Sequence, residues 1–258
     1  MDLGLKDKVA IVSGGSRGIG LGIAEALASE GCRIVLCARG EEALESAAER
    51  VRGLGAEVRT VAGDVTSAEG AKRPVDMAVS EFGGLHVLAS NVGGNRRGKF
   101  ADTTDEDWEA VLDANLRAHI RMARHAVPAL EASGGGAMTF TASIFGREGG
   151  GPGLSIYNST KSALISLGKI MSMELAEKNI RVNTIAPGSI RFPGGSWDRR
   201  CNEDPEGMAE FIASNLPFGR FGTVKEVADV VAFLSSPRAS WVSGACLNID
   251  GVQSKSLI

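Results

Sequence analysis

The chain lacks several things that would assign it to a common protein class. Its four cysteines (Cys32, Cys37, Cys201 and Cys246) form no C-x-x-C pair. None stands at a metal-ligand spacing from any of the three histidines. That pattern argues against a zinc site or any other metal centre, and for reduced, mostly buried thiols. Charge of one sign is not in excess: 28 basic against 31 acidic residues leave a net charge of −3. Such a balance provides no bulk field for nucleic acid or an anionic membrane. No segment approaches the ~18–20 apolar residues needed to span a bilayer. The first residues lack the apolar run of a secretory leader, so the expected setting is cytoplasmic. Aromatic residues are sparse at 5%, and tyrosine occurs once, at Tyr157. There is no internal repeat and no low-complexity linker.

What the chain does have is glycine, 34 residues of it, in 258 residues that are 43% hydrophobic. Tight turns and close approaches of backbone to ligand both call for glycine. The length suits a single domain with a sizeable core. Short apolar runs at 9–13, 33–38, 58–62, 86–89, 137–141, 181–186 and 246–249 read as seven strands. Several are unbroken rather than alternating, as expected of strands covered on both faces. Amphipathic stretches at 19–30, 41–54, 108–130 and 157–178 read as helices between them. This alternation predicts an α/β fold: a doubly wound, Rossmann-like parallel sheet in one domain spanning 1–258. The irregular stretch 188–216, with Pro193, Gly194, Gly195 and Pro205, reads as a substrate loop or lid because it follows a strand end. A disordered insertion is the alternative.

The first run leads into Ser13-Gly14-Gly15-Ser16-Arg17-Gly18-Ile19-Gly20 and then a helix. Glycines let the chain turn sharply and let phosphate oxygens approach the backbone, where a helix N-terminus offers free N–H groups. The spacing is G-x-x-x-G-x-G, distinct from G-x-G-x-x-G and from a Walker loop. Here the sequence resembles the short-chain dehydrogenase/reductase family, which carries T-G-x-x-x-G-x-G at this place, with Ser13 standing for the Thr. The second strand ends Ala38-Arg39, where an acidic residue would favour NAD by binding ribose hydroxyls. Arg39, with Arg17 from the glycine turn, can instead clamp a 2′-phosphate, which makes NADP(H) the preferred cofactor and NAD(H) a possible one. Two solvated surface charges are the alternative reading of this pair. The resemblance implies further cofactor contacts at Asp64 and Val65, at Asn91 and Gly93 of Ser90-Asn91-Val92-Gly93 (N-N-A-G in the family), and at Pro187, Gly188 and Ile190. Phe192 stands where the family has a Thr.

Tyr157 and Lys161 lie four apart on a predicted helix, which puts phenol and ammonium on one face. A nearby cation is expected to lower the phenol pKa, equipping it for proton transfer. The resemblance implies that Ser143 binds the substrate oxygen. It implies that Lys161 also binds the cofactor ribose, and that Asn115 holds a water in a proton relay. It further implies hydride transfer between nicotinamide and a small carbonyl or secondary alcohol, and a homotetramer. A 3-oxoacyl-thioester reductase and a non-catalytic cofactor-binding regulator are the alternatives. The absence of Lys and Arg from 127–136, and Met173 before Glu174, weaken docking of an acidic carrier protein. The G-x-x-G-x-x-G turn and larger C-terminal domain of sugar-nucleotide epimerases are missing. Arg96, Arg97 and Lys99 read either as a mouth for an anionic substrate or as a solvated loop. Trp197, Phe211 and Phe218 read as an apolar lid lining or as the packed base of the loop.

Overall fold

The structure, a computed structural model, describes residues 2–257. Seven strands form one parallel sheet: β1 (Val9–Ser13), β2 (Arg33–Ala38), β3 (Val58–Ala62), β4 (Val87–Ser90), β5 (Gly136–Thr141), β6 (Ile180–Pro187) and β7 (Cys246–Ile249). Their spatial order is β3-β2-β1-β4-β5-β6-β7, and every adjacent pair is parallel. The order reverses between β1 and β4, which opens a crevice at the carboxyl ends of those strands. The doubly wound single-domain fold expected from the strand and helix pattern is thus the one observed.

Successive residues of β1 face opposite sides, as a pleated strand requires. Ala10 and Val12 join one core with Leu21, Ile23 and Leu27 of α1 (Gly18–Ser29), Leu44 and Val51 of α2 (Glu41–Arg52), and Val227 and Val231 further along the chain. Val9 and Ile11 join the other, with Val75 and Phe82 of α3 (Ala68–Phe82) and with Met122 and Leu130 downstream. Both faces of the sheet are therefore dry, which is why its strands read as unbroken apolar runs.

Outside the stretch 188–216, two helices were not apparent in the sequence. α3 carries Pro74 in its interior, normally a helix breaker. It persists because Ala71, Val75, Ala78 and Phe82 form one buried stripe, the Ser67 hydroxyl accepts from the Gly70 N–H, and left-handed Gly83 closes the end. The stretch 108–130 divides into α4 (Asp105–Leu112), a wide π turn at Asp113–Arg117, and α5 (Ala118–Ala132). α6 (Ser155–Glu174) follows β5. The stretch 188–216 contains two short helices, α7 (Ser196–Glu203) and α8 (Pro205–Asn215). α9 (Val224–Ser235), the second helix missed, starts with a Thr223–Glu226 capping box. No helix among the described residues is long and apolar enough to cross a membrane.

Candidate active site

β1 turns into α1 through Gly14 and Gly18, whose φ values are 63° and 56°. A Cβ on Gly20 would stand 2.2 Å from the Gly14 carbonyl oxygen, so the turn is closed to backbone contact and only glycine fits there. No side chain caps the start of α1, leaving its first N–H groups for an anion. Asn91 packs against this turn: its N–H donates to the Ser13 hydroxyl at 3.0 Å, and its carbonyl oxygen would lie 3.0 Å from a Cβ on Gly14. Arg17 and Arg39 are exposed, and no hydrogen bond or ion pair ties either guanidinium to another described residue. Asp64 is exposed at the end of β3, its carboxylate accepting from the Thr66 N–H, while Val65 is buried. The residues fit a dinucleotide: a backbone cradle without side chains, an uncapped helix start, and two guanidiniums free for a phosphate.

At the same edge, β5 ends beside Ser143, and α6 presents Tyr157. Ser143 and Tyr157 line a cavity of about 250 Å³ together with Pro187 and Gly188 at the end of β6. Lys161, one turn further along α6, lies behind the phenol at 3% exposure. Its Nζ donates to the Thr141 carbonyl at 2.7 Å and stands 5.8 Å from the centroid of the Tyr157 ring. A Cβ on Gly93 would come within 3.5 Å of that Nζ, so the loop after β4 covers the lysine. Burial pulls Lys161 down to about 8. Burial also raises the Tyr157 phenol, a rise partly offset by a hydrogen bond with Ser143. This corrects the expectation that the ammonium lowers the phenol in the free protein. Both groups are desolvated together, and burial is the dominant influence on each.

Asn115 sits in the π turn between α4 and α5, fully buried. Its Oδ1 accepts from the Gly94 N–H at 2.7 Å, and its Nδ2 donates to the Gly94 carbonyl at 3.0 Å and to the Thr160 hydroxyl at 3.1 Å. The amide is thus a brace between the loop after β4 and α6.

Two partners escaped the sequence reading. Ser90 replaces the first Asn of N-N-A-G, and its hydroxyl pairs with His119 Nδ1 at 2.7 Å. His119 Nε2 lies 3.1 Å from the Val92 carbonyl, so the ring bridges the end of β4 and the loop beyond it. Burial drives the imidazole down to about 3, so it is neutral. Neutral, it accepts from Ser90 at Nδ1 and donates to Val92 at Nε2. The substituted Ser90, together with a histidine four residues after Asn115, was the available signal. Gln253 is the second: it comes from the C-terminal segment, lines the cavity, and accepts from the Ser189 N–H at 2.7 Å.

The stretch after β6 covers the crevice. Ile190 is buried and bridges to Gly222. Phe192 lays its ring on the phosphate turn, with ring carbons 2.6–3.0 Å from where a Cβ of Gly18 would be. Packing therefore occupies the place of the family hydroxyl. Trp197 stacks on Phe211 at 4.8 Å and tilts against Phe221 at 5.3 Å, whereas Phe218 is exposed. The aromatic cluster of this stretch thus uses Phe221 in place of Phe218. Of the three cations after β4, only Arg97 lines the cavity; Arg96 pairs with Asp107. A cavity of about 390 Å³ at the opposite, amino end of the strands is lined by Lys8, His86 and Arg181 among others and holds none of these groups. No cluster of three or more His, Cys, Asp or Glu placed to hold a metal exists among the described residues.

Comparison with known proteins agrees with this geometry. A family model described as enoyl-(acyl carrier protein) reductase matches residues 14–251. Dehydrogenase/reductase SDR family member 4 of Oryctolagus cuniculus is 36% identical over 250 residues, covering 96% of this chain and 94% of the relative. The 3-oxoacyl-(acyl-carrier-protein) reductase of Thermotoga maritima is 33% identical over 247 residues, covering 96% and 98%. The crystal structure of L-sorbose reductase from Gluconobacter frateurii, complexed with NADPH and L-sorbose, superposes with a TM-score of 0.95 at 36% identity, covering all of both chains.

Proposed function

Because the chain belongs to the short-chain dehydrogenase/reductase family, and is an oxidoreductase using a nicotinamide cofactor and a small-molecule substrate, we propose that it is NADP(H)-dependent and interconverts a carbonyl and a secondary alcohol. The observation that carries this reading is the tier formed by Ser143 and Tyr157 on one cavity wall with Lys161 buried behind them. A bound nicotinamide supplies the hydride for reduction or accepts it in oxidation. Ser143 and Tyr157 direct their hydroxyl protons at the carbonyl oxygen, where negative charge develops. Tyr157 gives that oxygen its proton. A phenol raised by burial holds its proton at neutral pH, so the free protein is poised for reduction. Lys161 orients the phenol from behind, and Asn115 with Thr160 keeps the loop and α6 in register.

Preference for NADP(H) is supported by Ala38 where an acid would select NAD, by unpaired Arg17 and Arg39, and by the NADPH of the Gluconobacter frateurii relative. The cradle comprises Gly14, Ser16, Gly18, Ile19 and Gly20, with Asp64, Val65, Asn91, Gly93, Pro187, Gly188 and Ile190 along the remaining length of the cofactor. The lid is 188–216. Similarity to a 3-oxoacyl-(acyl-carrier-protein) reductase keeps a 3-oxoacyl thioester as the second reading. Exposed Ile170 and Met173 on α6 suit a homotetramer, and four unpaired thiols suit the cytoplasm.

The test is NADPH consumption across a panel of ketones. Tyr157→Phe should lower turnover by roughly 10³-fold while NADPH still binds; retention of a large share of activity would remove the phenol from the mechanism. Arg39→Asp should cut the NADPH-over-NADH preference about tenfold or more, and an unchanged ratio would refute the 2′-phosphate clamp.

A further inference from the structure

Resting on that reading, we propose that the substrate is a small oxyanion whose anionic group is held by Arg97 and Arg200 while Ser143 and Tyr157 hold its carbonyl oxygen. Arg97 follows β4 and Arg200 comes from α7, and both line the cavity with the two hydroxyls. The guanidinium of Arg200 lies 5.0 Å over the Trp197 ring, which fixes its approach. Neither guanidinium has a hydrogen bond or an ion pair to another described residue.

Their neighbours differ in this respect. Arg96 is paired with Asp107 at 2.7 Å, Arg191 with Asp198 at 3.0 Å and Arg220 with Glu226 at 2.6 Å. Arg199 donates to the Gly194 carbonyl. In a chain with more acids than bases, Arg96, Arg191, Arg199 and Arg220 are each tied to a protein oxygen, whereas the two guanidiniums that face the cavity are not. No aspartate or glutamate lines that cavity; its other polar walls are Asn95, Ser189, Ser196 and Gln253. Two uncompensated charges in a concave, carboxylate-free site attract and orient an anion. Guanidiniums hold carboxylate and phosphate oxygens in paired hydrogen bonds. At about 250 Å³ the space lies near the lower end of the ~300–1,000 Å³ typical of sites for drug-sized ligands, which suits a short molecule.

Matched pairs of ketones test this. Acetoacetate against methyl acetoacetate probes a carboxylate, and dihydroxyacetone phosphate against dihydroxyacetone probes a phosphate. Two readouts are needed: kcat/KM with NADPH, and affinity for the Tyr157→Phe protein loaded with NADPH, followed by quenching of dinucleotide fluorescence without turnover. We expect the anionic member of at least one pair to be favoured tenfold or more, with the preference shrinking as salt rises. Arg97→Gln and Arg200→Gln should each collapse that anion-to-neutral ratio, and Arg96→Gln, already neutralised by Asp107, should leave it unchanged. The arm showing the preference identifies the oxyanion. Equal use of both members in both pairs overturns the proposal, as does an Arg96→Gln variant that lowers the ratio as far as Arg97→Gln. Anion-selective binding without reduction of any ketone would preserve the oxyanion site and refute hydride transfer; reduction without selectivity would do the reverse.

Discussion

Asn115, His119, Thr160 and Lys161 are each 3% exposed or less, and each is hydrogen-bonded to protein. α7, which lines the cavity, and α8, which stacks on it through Phe211, contain no buried residue. They are held by the Trp197–Phe211–Phe221 stack and by surface pairs such as Arg191–Asp198. The rear tier places charge and polarity where water is absent, so each member needs a partner, and removing one strands another. The front is a solvated surface whose side chains can change without unfolding the sheet. Under the proposed function, reaction chemistry belongs to the rear and choice of substrate to the front. Substitutions should therefore separate into those that trade stability against turnover and those that alter only affinity.

The largest effect should come from Lys161→Met. We expect turnover to fall about 10³-fold, comparable with loss of a general acid, and the free protein at pH 7 to become more stable. The lysine is held at about 8 when folded, well below its ordinary value of 10.5. The unfolded chain therefore binds the extra proton between these values, and wild-type stability rises with pH across that window. The shift corresponds to an upper limit of about 3 kcal/mol, so the advantage of the methionine variant should shrink by that order between pH 8 and 10.5. Denaturant melts at both pH values measure it. Because the chain has one tyrosine, phenolate absorbance reports Tyr157 alone, and its midpoint in free protein should lie above 10. A midpoint below 10 would restore the lysine as the dominant influence on the phenol.

His119→Leu comes next. It leaves the Ser90 hydroxyl and the Val92 carbonyl without their partner, at a cost of about 2–4 kcal/mol. Ser90→Ala should cost less, and the double variant less than the sum, because the two share one bond. With the imidazole at about 3 when folded against an ordinary 6.5, the unfolded chain takes up the proton first as pH falls. Wild-type stability should thus decline from about pH 6.5 downward, and the leucine variant should lose that portion of the decline. Identical acid profiles for the two proteins would mean that the ring is not neutral in the folded state.

Trp197→Ala should be the mildest. It removes the centre of the aromatic stack and the surface beneath Arg200, so KM should rise several-fold while the melting temperature moves little. A loss of several kcal/mol would show this stretch to be part of the core and erase the contrast between front and rear.

Legibility followed the same division. The glycine turn, Tyr157 and Lys161 could be read because their roles depend on spacing within one turn or one helix. The π turn at Asn115, the Ser90–His119 pair and the choice of Arg97 over Arg96 could not, since each depends on side chains brought together from separate elements. α3 was hidden by Pro74, whose local penalty is overridden by a buried stripe visible only once the sheet is assembled.

The order of apolar runs and amphipathic stretches determined the parallel, doubly covered sheet, because burial on both faces demands strands of that composition and crossovers of that length. The glycine spacing likewise determined a turn that side chains would close. Protonation states, the duty of each polar group, and which cations face the cavity were decided by tertiary structure alone. Desolvation and pairing depend on distances between elements far apart in the chain, and no local pattern encodes those distances.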